Sequence, residues 1–232
     1  MDIKSFEENI IKEFAKVILK IIKNYPKLNI SAKARAGAEI SDFLEEKFVE
    51  YSSKNKLFKD SEASPKGATK NPWDAKTNFC FKNHEEIIWI DFKVLKTSGK
   101  DSNPDIGSPN KIIKFIKEGN FYLLYVYVFY KEIEKGLKFV KVNGSYTKLY
   151  FLKDINRTFR RNPKNQLQVN MSAPPEYRTR KNFIKLLSQK LKESHERQIK
   201  ISKKVLQKLS AEEKALLKVN KKSEARILKN LR

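Results

Sequence analysis

The sequence predicts an α/β fold in which a mixed central sheet is flanked by helices and followed by a helical C-terminal extension. Three observations carry that expectation. Apolar residues at Phe6, Ile10, Ile11, Phe14, Val17, Ile18, Ile21 and Ile22 recur at intervals of three and four, the period of an amphipathic helix. Residues 121–130, FYLLYVYVFY, form an uninterrupted apolar and aromatic run of strand length, as expected of a central strand covered on both faces. Residues 176–232 read as helical and carry a net charge of +12, about half of the chain's +23.

Taken in order, the first helix ends at Pro26, which cannot continue it. A second helix runs from about Ser31, a suitable N-cap, to about Tyr51, with Ile40, Phe43, Leu44 and Phe48 on its buried side. Glu39 sits one turn before Phe43 and so leans toward that side, an unusual position for a free carboxylate. Residues 60–72, rich in Ser, Lys, Gly and Pro, read as a loop. Trp73 to Phe81 and Glu86 to Val94 look like paired strands joined by a hairpin turn at Lys82, Asn83 and His84. An irregular loop from Thr97 to Pro109 leads into a short helix near Asn110 to Lys117.

After the central strand, Leu137 to Val142 and Lys148 to Leu152 read as neighbouring strands joined through Asn143-Gly144. A basic irregular stretch follows from Arg157 to Pro175. The terminal helix should end near Leu209, where S-A-E-E at 210–213 reads as a capping box that starts another. This gives a core with its loops over 1–175 and a basic helical extension over 176–232.

Composition narrows the function. With 232 residues the chain can bury one substantial core, and 50 Lys and Arg against 27 Asp and Glu point to a polyanionic partner. The single cysteine, Cys80, has no partner for a disulfide and reads as a small buried apolar side chain; with only two histidines, His84 and His195, there is no zinc ligand set. Charges throughout the first twenty residues exclude the apolar run of a signal peptide, so a soluble, cytoplasmic protein is expected. No phosphate-binding Gly-rich loop or dinucleotide fingerprint is present.

The sharpest chemical signal is Asp74 in N-P-W-D-A followed by Asp91 and Lys93 in W-I-D-F-K. Period two puts Asp91 and Lys93 on one face of a strand, and Asp74 can come from the start of its neighbour. Two carboxylates and an ammonium at one point suit phosphodiester hydrolysis. Hard oxygen ligands hold Mg²⁺, and a lysine beside the ion steadies charge developing on phosphate. A D-x-K triplet also arises by chance on solvated strands, but the apolar run Ile87-Ile88-Trp89-Ile90 leading into this one sets it apart.

N-P-W-D with I-D-F-K resembles the signature of the PD-(D/E)xK nuclease superfamily, with one departure: Trp73 separates Pro72 from Asp74. D-S-N-P-D-I-G-S-P-N-K-I at 101–112 and E-G-N-F-Y-L at 118–123 are similar to the rare-cutting Swa-type restriction endonuclease family, and the likeness runs from the first helix to about Lys200. The resemblance implies a restriction-endonuclease-like core, Mg²⁺ at Asp74 and Asp91, and Lys93 as a catalytic residue. It also implies a homodimer cutting double-stranded DNA at a palindromic, AT-rich site, with a cognate DNA methyltransferase that shares the site without having to bind the protein. The superfamily often adds an acid from an N-terminal helix, a role that Glu39 matches at even weight with a surface glutamate; Asp42, Glu45 and Glu46 read as solvated.

For DNA contacts, Asn103, Asp105, Ser108 and Asn110 are short hydrogen-bonding side chains on the loop that leaves the candidate catalytic strand, suited either to base edges or to an ordinary surface turn. Gln166, Gln168 and Asn170 alternate with Leu167 and Val169 and would present three amides from one face, as a base-reading strand or a polar edge strand. Arg157, Arg160, Arg161, Arg178 and Arg180 flank them as phosphate contacts. Two competing functions stand beside restriction: a non-catalytic basic nucleic-acid-binding protein, and a branched-DNA or repair nuclease on the same core.

Overall fold

The computed structural model describes residues 2–30, 36–65, 72–98 and 103–230. They fall into two compact units, 1–184 and 185–232. In the first, helix α1 (Ile3–Asn24) begins at an Asp2 cap that accepts from the Ser5 N–H, and buries Phe6, Ile10, Phe14, Val17, Ile18, Ile21 and Ile22. A two-residue strand β1 (Lys27–Leu28) follows, then helix α2 (Ala36–Ser52). The expected cap at Ser31 lies outside the described residues.

Strand β2 (Phe58–Ala63) occupies ground expected to be loop. It is an edge strand with only Phe58 buried, so its polar sequence shows no alternation. Strands β3 (Ala75–Phe81) and β4 (His84–Lys96) form the expected hairpin, but the turn is only Lys82-Asn83, with Lys82 at φ 50°; His84 already pairs with Phe81. Strand β5 (Asp105–Gly107), helix α3 (Pro109–Lys117) and strand β6 (Leu123–Ile133) come next, and β4 and β6 run parallel from Trp89↔Leu123 to Lys96↔Tyr130. Strands β7 (Gly136–Phe139) and β8 (Thr147–Phe151) both pair with β6 on its other edge, β7 along Tyr130–Ile133 and β8 along Leu124–Val128. The corner between them is the Asn143-Gly144 turn, with φ 50° and 81°.

The result is a mixed seven-stranded sheet of order β1-β7-β6-β4-β3-β2, with β8 off that path on β6. Ile88, Ile90 and Phe92 of β4, with Leu124, Val126 and Val128 of β6, join the α1 and α2 stripes in one core. The alternate residues, Asp91 and Lys93 beside Tyr125 and Tyr127, therefore share the opposite face. A second sheet, β5-β10-β9, is built from β9 (Arg160–Arg161) and β10 (Leu167–Gln168) inside the stretch expected to be irregular.

Helix α4 (Arg180–Asn230) runs on through Ser210 rather than restarting there. No Gly or Pro falls within it, and one serine costs a helix of Leu, Lys, Glu and Ala too little to end it. In the second unit the helix exposes Leu206, Leu209, Leu216 and Leu217. Among the described residues, no helix is long and apolar enough to cross a membrane.

Candidate active site

The β3–β4 register brings two of the expected residues together. Ala75 pairs with Ile90, so Asp74, one residue earlier, falls opposite Asp91. The approach to β3 is pinned by backbone bonds from Asp74 N to Ile90 O at 2.7 Å and from Ser64 N to Asp74 O at 2.6 Å, which fixes the turn geometry despite the inserted Trp73. The Asp74 carboxylate accepts from the Phe92 N–H at 2.7 Å. Trp73 and Trp89, which flank the two acids in sequence, pack against each other with centroids 4.9 Å apart.

Asp91 is 5% exposed and ion-paired with Lys93, Nζ to Oδ1 at 2.7 Å. Beyond that ion pair, buried Oδ1 takes no further hydrogen bond among the described residues. Burial pushes the Asp91 carboxyl up to about 7, Asp74 pushing the same way while Lys93 opposes. Burial also raises Asp74, against Lys93 and the Phe92 N–H. For Lys93 burial works downward, but Asp91, Asp74 and Asp105 together outweigh it and hold the ammonium above the ordinary lysine range. A buried pair of carboxylates with one cation is a site short of positive charge.

The helix acid differs from expectation. Glu39 is exposed on α2, because the buried stripe of that helix is Ala36, Ile40, Leu44 and Phe48, while Phe43 lies at its rim against Tyr25. Glu45, read from the sequence as solvated, is half-buried, and its carboxyl is driven up to about 8 by burial, Asp74, Asp42 and Asp91. Glu45 thus shares a field with both Asp74 and Asp91, and Asp42 reaches Asp74 as well. The place of Glu45 three residues before Phe48 of the core stripe, on the same helix face, is the available signal.

Among the described residues no three His, Cys, Asp or Glu side chains group closely enough to hold a metal alone. Asp74 and Asp91 still fit Mg²⁺, which commonly takes one or two carboxylates and keeps waters on its other positions. Asp91 Oδ1, buried and met among the described residues only by the Lys93 ammonium, is the hard oxygen such an ion would take.

The two segments proposed for base contacts meet in the small sheet. Leu167 and Gln168 of β10 pair with Gly107 and Asp105 of β5, and with Arg161 and Arg160 of β9. Leu167 and Val169 are buried while Gln166, Gln168 and Asn170 are half-exposed, so the amides do share a face. Asp105 Oδ1 accepts from Asn162 Nδ2 at 2.9 Å and from Gln168 Nε2 at 3.5 Å. Asn103 Oδ1 accepts from the Met171 N–H at 3.2 Å, and Asn170 Oδ1 from the Ser172 N–H at 3.1 Å. Ser108 caps α3 and Asn110 is exposed in its first turn. Gly107, at φ 119°, makes the reversal from β5 into that cap, which a side chain would strain. Residues 99–102 of the connecting loop lie outside the described residues.

The arginines divide. Arg160 is exposed on β9, and Arg157, also exposed, reaches Glu176 at 3.2 Å. Arg178 is 11% exposed, its guanidinium committed to Glu176 and to the Lys153, Ile155 and Glu176 carbonyls, so it clasps the fold. It adjoins a buried network in which Lys153 Nζ meets Glu7 and Asp154 at 2.8 Å each. Arg180 stacks on Phe121 and Tyr122, 4.9 and 4.7 Å from the ring centroids. Cys80 is only partly buried and donates to Glu85, since it alternates away from buried Phe79.

A model of the SwaI-like family, described as SwaI restriction endonuclease, matches residues 2–209. Among solved structures, the NlaIV restriction endonuclease superposes with a TM-score of 0.47 at 13% identity, over 82% of this chain and 79% of that one. No curated protein matches the chain.

Proposed function

Because the chain belongs to the SwaI-like restriction endonuclease family, we propose that it is a type II site-specific deoxyribonuclease that hydrolyses phosphodiester bonds of double-stranded DNA with Mg²⁺. The observation that carries the chemistry is the meeting of Asp74, Asp91 and Lys93, with Lys93 Nζ 2.7 Å from Asp91. Asp74 and Asp91 are the residues that would hold the ion. Bound there, Mg²⁺ polarises a phosphoryl oxygen and makes a bound water easier to deprotonate.

Lys93 stays protonated at neutral pH because its acidic neighbours hold it up, so its ammonium is available to a non-bridging phosphate oxygen and to the attacking water. Burial and the neighbouring acids raise the Glu45 carboxyl, which favours its neutral form beside Asp74 and Asp91. The amides of Gln166, Gln168 and Asn170 suit adenine edges, in keeping with an AT-rich site. A palindromic site offers the same chemistry on both strands, which a two-fold homodimer meets most simply. The setting would be the cell interior, where a DNA methyltransferase sharing the site protects the host's copies.

The test is a plasmid incubated with the purified protein in Mg²⁺ or in EDTA. Discrete double-strand cuts that need Mg²⁺ and vanish in Asp91→Ala support the proposal. Binding without any strand cleavage would return the chain to the non-catalytic class.

A further inference from the structure

Lys148 is half-buried on β8, and a cross-strand row ties it to the candidate catalytic lysine: Lys93 pairs with Tyr127, and Tyr127 with Lys148. Its Nζ donates to two backbone carbonyls, Met171 O at 2.9 Å and Ala173 O at 2.9 Å. From the other side, the Met171 N–H is taken by Asn103 Oδ1 at 3.2 Å. Met171 directly follows the Gln166–Asn170 amide run, and its peptide groups are thus held by one residue of the central sheet and one that precedes β5. Two of the three donors of the Lys148 ammonium are spent on this clamp, so its geometry is that of a strut.

We infer that Lys148 is a positioning residue for specificity: it fixes the segment after β10 to the sheet that carries Asp91 and Lys93, so that the amides meet base edges only when the scissile phosphate is in register with the catalytic group. The inference rests on the reading of the amide run as a base-contacting segment. Strands are about 4.8 Å apart, so Lys148 stands roughly 10 Å from Lys93, close enough to transmit register and too far to share its chemistry. A slack strut would let β10 shift by fractions of an ångström. That is enough to spoil bidentate amide contacts while leaving phosphate contacts intact.

The experiment uses duplex oligonucleotides carrying the site defined by sequenced digestion ends, together with its single-base-pair variants, and compares wild type, Lys148→Met, Lys148→Arg and Gln168→Ala in the full-length chain. Lys148→Met should lose about tenfold in the ratio of cognate to variant cleavage, with unchanged affinity for unrelated duplex and an unchanged salt slope. Lys148→Arg, which can still bridge two carbonyls, should recover most of it. A salt slope reduced by about one would instead make Lys148 a phosphate contact and overturn the inference. Lowered melting temperature with discrimination intact below the melt would reduce it to a fold contact and overturn it equally. If Gln168→Ala changes discrimination and Lys148→Met does not, the strut fails alone; if neither does, the base-reading assignment of the segment fails first.

Discussion

Asp91→Asn should change how stability depends on pH in the metal-free protein. The wild-type carboxyl is 5% exposed and its titration is raised from 3.8 to about 7, chiefly by burial. Between those values the folded state binds a proton that the unfolded state has released, so stability falls as pH rises through the window and the loss is complete by about pH 8. Three units at about 1.4 kcal/mol each correspond to roughly 4 kcal/mol, of which about 3 kcal/mol develops between pH 5 and pH 8. The amide carries no such cost. Removing the Asp91 charge also relieves Glu45, whose carboxyl it helps push up, so the stability of Asp91→Asn relative to wild type should climb across the range by an amount on that order. For a chain of this size that is a relative gain on the order of 10 °C in Tm. The assay is thermal unfolding in EDTA at half-unit pH steps. Adding Mg²⁺ should stabilise wild type above pH 7 and leave Asp91→Asn little changed, since only wild type offers the carboxylate pair. Parallel curves for the two proteins between pH 5 and pH 8 would refute the reasoning, because Asp91 would then titrate as an exposed acid.

Four further outcomes are expected. Asp74→Ala, Asp91→Ala and Lys93→Ala should each abolish plasmid cleavage while gel-shift affinity persists, and Ca²⁺ should support binding with little turnover. Glu45→Gln should slow single-turnover cleavage more than Glu39→Gln, as the first shares a field with Asp74 and Asp91 and the second faces solvent. Arg178→Met should lower Tm through the loss of its carbonyl bonds, whereas Arg160→Ala should leave Tm unchanged and reduce the salt slope by about one. Truncation after Leu209 removes seven basic residues and three acidic ones, and should weaken non-specific binding in filter assays more than it alters site preference.

What the sequence disclosed follows from how local each signal is. The α1 stripe and the β6 run are periodic or continuous in the chain, and the Asp91–Lys93 spacing needs only the alternation of one strand. The expected meeting with Asp74 needs only the neighbouring hairpin strand. Strand β2 was hidden because an exposed edge makes no demand for apolar residues. In the β5-β10-β9 sheet, β5 and β10 pair residues at least sixty positions apart, and all three strands are only two or three residues long, too short to show a period. Glu39 and Glu45 lie on the same helix, and which one meets the carboxylate pair depends on how α2 is rotated against β4, a tertiary fact. Arg178 reads in the sequence as a phosphate contact because the carbonyls that claim it come from other segments.

The most direct test of the central claim is to digest genomic DNA with the purified protein in Mg²⁺ and sequence the ends, with Lys93→Ala as the matched control. Wild-type ends should share a single recurrent AT-rich palindrome, and Lys93→Ala should give no recurrent ends. Ends scattered without a common sequence, or the same ends from Lys93→Ala, would contradict the claim.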